Sequence, residues 1–68
     1  MNFKLNSFYK NEFNPDLMIQ IKRVMTQQET YSKVLADWWS CKEVPATSTG
    51  ITQEVIINKE DEKFWREV

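Results

Sequence analysis

The sequence predicts an α+β fold in which one long amphipathic helix, about residues 15–41, packs against a small sheet formed by the N-terminal and C-terminal segments. Three observations predict it. Apolar residues recur every three or four positions through the middle of the chain, apolar and polar residues alternate near the N-terminus, and residues 51–57 are rich in β-branched side chains. The 68 residues leave room for one small domain, residues 1–68. An all-α helical bundle is the alternative fold.

The predicted helix begins at "NPD", where Pro15 suits the first helical position. Its buried seam is interrupted by the polar Gln28 and otherwise consists of Leu17, Ile21, Val24, Tyr31, Leu35 and Trp38. Ile19 is the apolar residue that falls outside this seam. The stretch "TQQE" is a capping-box signature, so a helix kinked near Thr26 is the alternative to a continuous one.

The flanking segments supply the predicted sheet. Residues 2–9 and 51–57 are predicted strands, because the first alternates apolar with polar side chains and the second is β-branched. Residues 42–50 contain proline, glycine and three hydroxyl residues, which indicates a loop. Residues 59–67 fit either a short helix or the returning strand of a hairpin, with the helix narrowly preferred.

Composition limits the classes of function. Nine basic and ten acidic residues give a net charge of −1, which is too small a field to attract nucleic acid or to mimic it. With no histidine and Cys41 as the single cysteine, the chain cannot form an internal disulfide and lacks the ligands of a tetrahedral zinc site. There is no apolar run of membrane-span length and no signal-peptide pattern. We therefore expect a cytoplasmic protein held together by apolar packing.

The residues that usually carry catalysis are also missing. Without histidine, proton transfer near neutral pH would need a deeply buried carboxylate or lysine, and Cys41 has no imidazole to activate it. The acidic run Glu60-Asp61-Glu62 fits a solvated helix start better than a metal site, since consecutive carboxylates do not converge on one ion. We expect no catalytic residues, no cofactor and no bound metal.

Protein binding is the function that the aromatic and methionine content favours. Trp38 is predicted to lie in the core, whereas Trp39, Met18, Met25 and Trp65 exceed what so small a core can cover. We expect these four residues to form an interface at the helix edge with a larger protein partner or in a homodimer. Small chains of this type are often accessory or inhibitory proteins, including phage-type inhibitors of host proteins.

A small DNA-binding transcriptional regulator is the alternative function. Its nucleic-acid contacts would be Lys22, Arg23 and Lys33, which lie on the polar side of the predicted helix. The turn of a helix-turn-helix is only loosely matched around Gly50, and the segment after it has no basic residue before Lys59. Nucleic acid is therefore the weaker of the two partner predictions.

Overall fold

The described part of the chain forms an antiparallel β-sheet with one short 3-10 helix. A computed structural model describes the backbone of residues 3–42 and 47–68, and the side chains of residues 3–42 and 51–68. Its elements, in chain order, are β1 (Phe8–Asn11), β2 (Leu17–Gln27), β3 (Tyr31–Ser40), β4 (Thr47–Asn58), the 3-10 helix (Lys59–Phe64) and β5 (Trp65–Glu67).

The five strands form a single sheet in the order β4-β3-β2-β1-β5, and every neighbouring pair is antiparallel. Strands β2, β3 and β4 follow one another directly, as a meander. The 3-10 helix then carries the chain to the far side of the sheet, where Glu67 in β5 pairs with Tyr9 in β1. The strands nearest the two ends of the chain are therefore neighbours.

The predicted long helix is wrong, and so is the alternative helical bundle. Residues 15–41 fold instead into a turn, β2, a second turn and β3. The "NPD" segment is a turn in which the Leu17 amide donates to the Asn14 carbonyl at 3.1 Å. "TQQE" ends β2 and begins the next turn, closed by the Gln28 amide donating to the Tyr31 carbonyl at 2.9 Å, so there is no helix to kink near Thr26.

Two register shifts in β2 explain why its sequence resembles a helix. Ile19 and Ile21 alternate onto the core face as strand residues do, but the pairing with β3 shifts between Ile21 and Arg23 and again between Val24 and Thr26. Each such bulge adds a residue and moves the following side chain by one position. The core residues Ile21 and Val24 are consequently three positions apart, which is a helical spacing.

The predictions for the segments on either side of residues 15–41 agree with the structure in part. The predicted strand 51–57 lies inside β4, whereas the predicted strand 2–9 overlaps β1 only at its end. Of the predicted loop, residues 43–46 lie outside the described part of the chain and residues 47–50 belong to β4. The ambiguous segment 59–67 divides into the 3-10 helix followed by β5. The hairpin alternative is wrong about the pairing, because β5 pairs with β1 and lies at the opposite edge of the sheet from β4.

One face of the sheet carries the core. Its buried apolar residues come from the N-terminal segment and from four strands: Phe3, Tyr9, Ile19, Ile21, Val34, Ala36 and Ile57. Phe3 reaches this face because the chain reverses at Asn6, whose φ of 63° is the left-handed conformation that asparagine tolerates. The Phe3 and Tyr9 rings then meet edge to face, with centroids 5.0 Å apart.

Candidate functional site

Two of the predicted interface residues are direct neighbours on the face of the sheet opposite the core. Met18 in β2 pairs with Trp39 in β3. The Phe8 ring in β1 completes the group, with its centroid 5.5 Å from that of Trp39 in an edge-to-face arrangement. All three side chains are half-buried. We call these three residues, Phe8, Met18 and Trp39, the outer-face patch.

The hairpin between β2 and β3 is what assembles this patch. Its turn brings position 18 opposite position 39, and the alternation of a strand points both side chains away from the core. Tyr9 and Ile19, the chain neighbours of Phe8 and Met18, point the other way and are buried. Sequence reasoning missed Phe8 as a member, although its place next to a buried Tyr9 in an alternating segment was the available signal.

The Trp39 indole has one unusual feature. Its Nε1 is buried but has no hydrogen-bond acceptor in the described part of the chain. Buried tryptophan N–H groups usually have a partner, and one without costs about 1–3 kcal/mol. Within the described residues, the ring of Trp39 therefore contributes apolar contact area and no hydrogen bond.

The other two predicted interface residues lie elsewhere. Met25 is 39% exposed and follows the first register shift in β2, at the end of the sheet away from Met18. Trp65 pairs with Asn11 and lies on the core face, where it packs against the core beside Trp38. The structure therefore brings together two of the four predicted residues and separates the remaining two from them and from each other.

A shallow apolar groove runs over the uncovered part of the core face. A cavity of about 290 Å³ is lined by Asn11, Asn14, Leu17, Trp38 and Trp65. A second cavity of about 300 Å³ shares Leu17 and Trp38 with it and extends towards Ile51 in β4. Trp38 thus packs on the core, as predicted, while one side of its ring lines the groove.

The basic residues proposed for nucleic-acid contact are largely engaged in ion pairs. Lys22 Nζ lies 3.6 Å from an Asp37 carboxylate oxygen, and Lys33 Nζ lies 2.9 Å from a Glu54 carboxylate oxygen. The hydrogen bond and charge of Glu54 raise the pKa of Lys33. Arg23 is exposed on β2. Carboxylates on the same face therefore neutralise the positive charges of these two lysines.

A buried polar cluster that the sequence did not reveal attaches the 3-10 helix to the sheet. The Glu62 carboxylate, 5% exposed, accepts hydrogen bonds from the Ser32 hydroxyl and the Lys59 ammonium, each at 3.2 Å. Burial acts to raise the pKa of Glu62, but the positive groups bonded to it, Lys59 among them, outweigh this and lower it. The Ser32 side chain is only 1% exposed, so its hydroxyl is not accessible to a substrate. The cluster therefore holds the 3-10 helix against the sheet.

The described residues hold no group of three or more histidine, cysteine, aspartate or glutamate side chains close enough to bind a metal ion. Cys41 is half-buried and free. Within the described ranges no helix has the length and hydropathy needed to cross a membrane.

Comparison with models of known protein families, with curated proteins and with solved structures finds no match to this chain.

Proposed function

We propose that this chain is a non-catalytic protein-binding domain that uses the outer-face patch to occupy a surface on a larger protein. The observation that carries the proposal is the contact of Phe8, Met18 and Trp39 on the sheet face opposite the buried core. An accessory or inhibitory role in the cytoplasm, such as a phage-type inhibitor would have, is part of the same proposal.

The placement of the remaining segments supports this site. Phe3 packs against Tyr9, and Glu62 of the 3-10 helix bonds to Ser32, so both segments lie on the core face. A sheet face with clustered apolar side chains is normally covered by a second layer. Phe3 and the 3-10 helix lie on the core face, so we infer that a partner supplies the second layer over the outer-face patch.

The composition of the patch fits a protein partner. Tryptophan, phenylalanine and methionine are enriched at the cores of protein interfaces, and methionine adapts its shape to the surface it meets. Lys10 is exposed and pairs with Met18 across the two strands, which places a positive charge at the edge of the patch. We infer that the partner presents an apolar surface with a carboxylate beside it.

The ion pairs on this face favour protein over nucleic acid. A phosphate-binding surface needs unpaired cations, whereas Lys22 and Lys33 already face Asp37 and Glu54. Binding through the outer-face patch should therefore change little between low and moderate salt, while phosphate-driven binding would weaken steeply.

Trp39→Ala is expected to weaken partner capture at least tenfold, since removing a central aromatic residue from an interface costs about 2 kcal/mol or more. Trp39→Phe should retain most of the binding and most of the stability, because the indole N–H has no acceptor among the described residues that phenylalanine would lose. The measurement is the amount of each partner retained by immobilised wild type and variants from a native lysate, at 50 and 500 mM salt as chosen test conditions.

Trp65→Ala is the matched control, because Trp65 is a half-buried tryptophan on the opposite face. It should leave capture by the outer-face patch unchanged once its folding has been verified by circular dichroism. Capture that survives Trp39→Ala but is lost in Trp65→Ala would assign binding to the groove beside Trp38 and overturn the proposal. Capture lost only at high salt would favour nucleic acid.

A further inference from the structure

The two edges of the sheet are protected to very different degrees. Strand β5 is three residues long and carries charged side chains, with Arg66 paired to Glu12 and Glu67 to Lys4. Strand β4 is twelve residues long and, among the described strands, pairs with β3 alone. From Thr52 to Asn58 its other side therefore faces no described strand. A long edge strand offers a row of backbone donors and acceptors to any extended chain.

The part of β4 from Thr52 to Asn58, where the side chains are described, lacks the usual protections against such pairing. Proteins block an edge with lysine, proline, a bulge or a very short strand. From Thr52 to Asn58 there is no basic residue or proline, and the pairing with β3 runs without a register shift. Glu54 is its one charged residue and is already paired with Lys33. Ile56 on the same strand is 63% exposed.

We propose that β4 pairs antiparallel with β4 of a second copy of this chain, about a two-fold axis centred on Ile56. The two five-stranded sheets then form one continuous sheet. This inference is independent of the proposed function, because the edge of β4 and the outer-face patch involve different residues.

The charges and side-chain types of β4 indicate a second copy of the chain as its partner. They also determine which residues lie opposite one another. In a two-fold antiparallel pair, one residue lies opposite itself and the others pair symmetrically around it. Centring on Glu54 would oppose two carboxylates, and centring on Val55 would set Ile56 against Glu54. Centring on Ile56 places Ile56 against Ile56, Val55 against Ile57, and Glu54 against Asn58. The segment is thus complementary to itself, and this pairing buries the most exposed apolar side chain of the edge.

The symmetry also determines what the dimer displays. A two-fold axis perpendicular to the sheet keeps equivalent faces on the same side. Ile56 pairs with Lys33 and shares the outer face with Trp39. Both outer-face patches would therefore point in one direction, so a partner with two binding sites would be held more tightly than by one copy.

Molar mass in solution is the first test. Wild type at 0.5 mM, a concentration chosen to favour weak dimers, should approach twice the chain mass of 8.2 kDa. Ile56→Lys opposes two ammonium groups at the axis and should weaken dimerisation at least tenfold. Leu5→Lys is the matched control, since Leu5 is 61% exposed and lies outside the strands, and it should dimerise as wild type does. A monomeric wild type at this concentration overturns the proposal.

Disulfide trapping tests the register and does not depend on how Ile56→Lys folds. In a Cys41→Ser background, Ile56→Cys should form a covalent dimer on mild oxidation, because directly opposed Cα atoms lie about 4.5–5.5 Å apart, within disulfide reach. Thr52→Cys should not, since the two positions 52 would be about 26 Å apart along the paired strands. Equal trapping at both positions would mean random collision and would refute the paired edge.

Discussion

Ile19→Ala is expected to destabilise the protein by about 3 kcal/mol, a large share of the roughly 3–10 kcal/mol that a domain of this length has available. Ile19 is fully buried in β2, between its cross-strand partners Tyr9 and Trp38. Truncating it leaves a cavity in the middle of the core, which the flanking strands cannot fill without breaking their pairing. Urea unfolding followed by tryptophan fluorescence measures the change.

Leu35→Ala is the informative comparison for this prediction. Leu35 is half-buried on the outer face, so its loss should cost about 1 kcal/mol. A helix over residues 15–41 would bury Leu35 in its seam and leave Ile19 outside it, so it predicts the opposite order. A larger loss for Leu35→Ala than for Ile19→Ala would contradict the sheet.

Glu62→Ala is expected to cost about 2 kcal/mol at neutral pH, because it removes a buried carboxylate that accepts charge-assisted hydrogen bonds. The Ser32 hydroxyl and the Lys59 ammonium, both bonded to this carboxylate, would each lose that acceptor. Lys59 can turn partly towards water, which keeps the cost below that of a fully buried broken pair. The free energy of unfolding from urea titrations at pH 7 is the measurement.

The same site gives a pH dependence whose sign follows from the lowered pKa of Glu62. A carboxyl group with a lower pKa in the folded state stabilises the fold above its unfolded pKa of about 4.3, and this contribution is lost as the pH falls through the folded value. Glu62→Gln keeps the shape of the side chain but cannot ionise. The stability difference between wild type and Glu62→Gln should be constant above about pH 5.5 and shrink below about pH 4.5. A difference that stays the same down to pH 3 would contradict the assignment.

The apolar residues of β2 and β3 have a spacing that fits a helix as well as it fits these bulged strands. Ile19 falls outside the apolar seam of the predicted helix, yet it is fully buried in the sheet. The positions of the two bulges depend on pairing with β3 and cannot be read from β2 alone. Local periodicity is therefore ambiguous here, and the long-range pairing of strands decides the fold.

The candidate site was predictable by residue type but not by position. Trp39 and Met18 belong to a set of large apolar side chains that exceeds what a small core can bury, whatever the fold. Their contact results from the turn that ends β2. Trp65 lies on the opposite face because it pairs with Asn11, and no local pattern in the sequence indicates a pairing between such distant segments.

The pairing of β1 with β5 constrains how this chain folds during its synthesis. Tyr9 leaves the ribosome early, but its partner Glu67 is translated only after β2, β3 and β4. Until then β1 has one unpaired side, and the 3-10 helix that fastens the core through Glu62 does not yet exist. Folding that depends on such distant contacts is slow to begin. The nascent chain therefore cannot complete its five-stranded sheet until β5 has been translated.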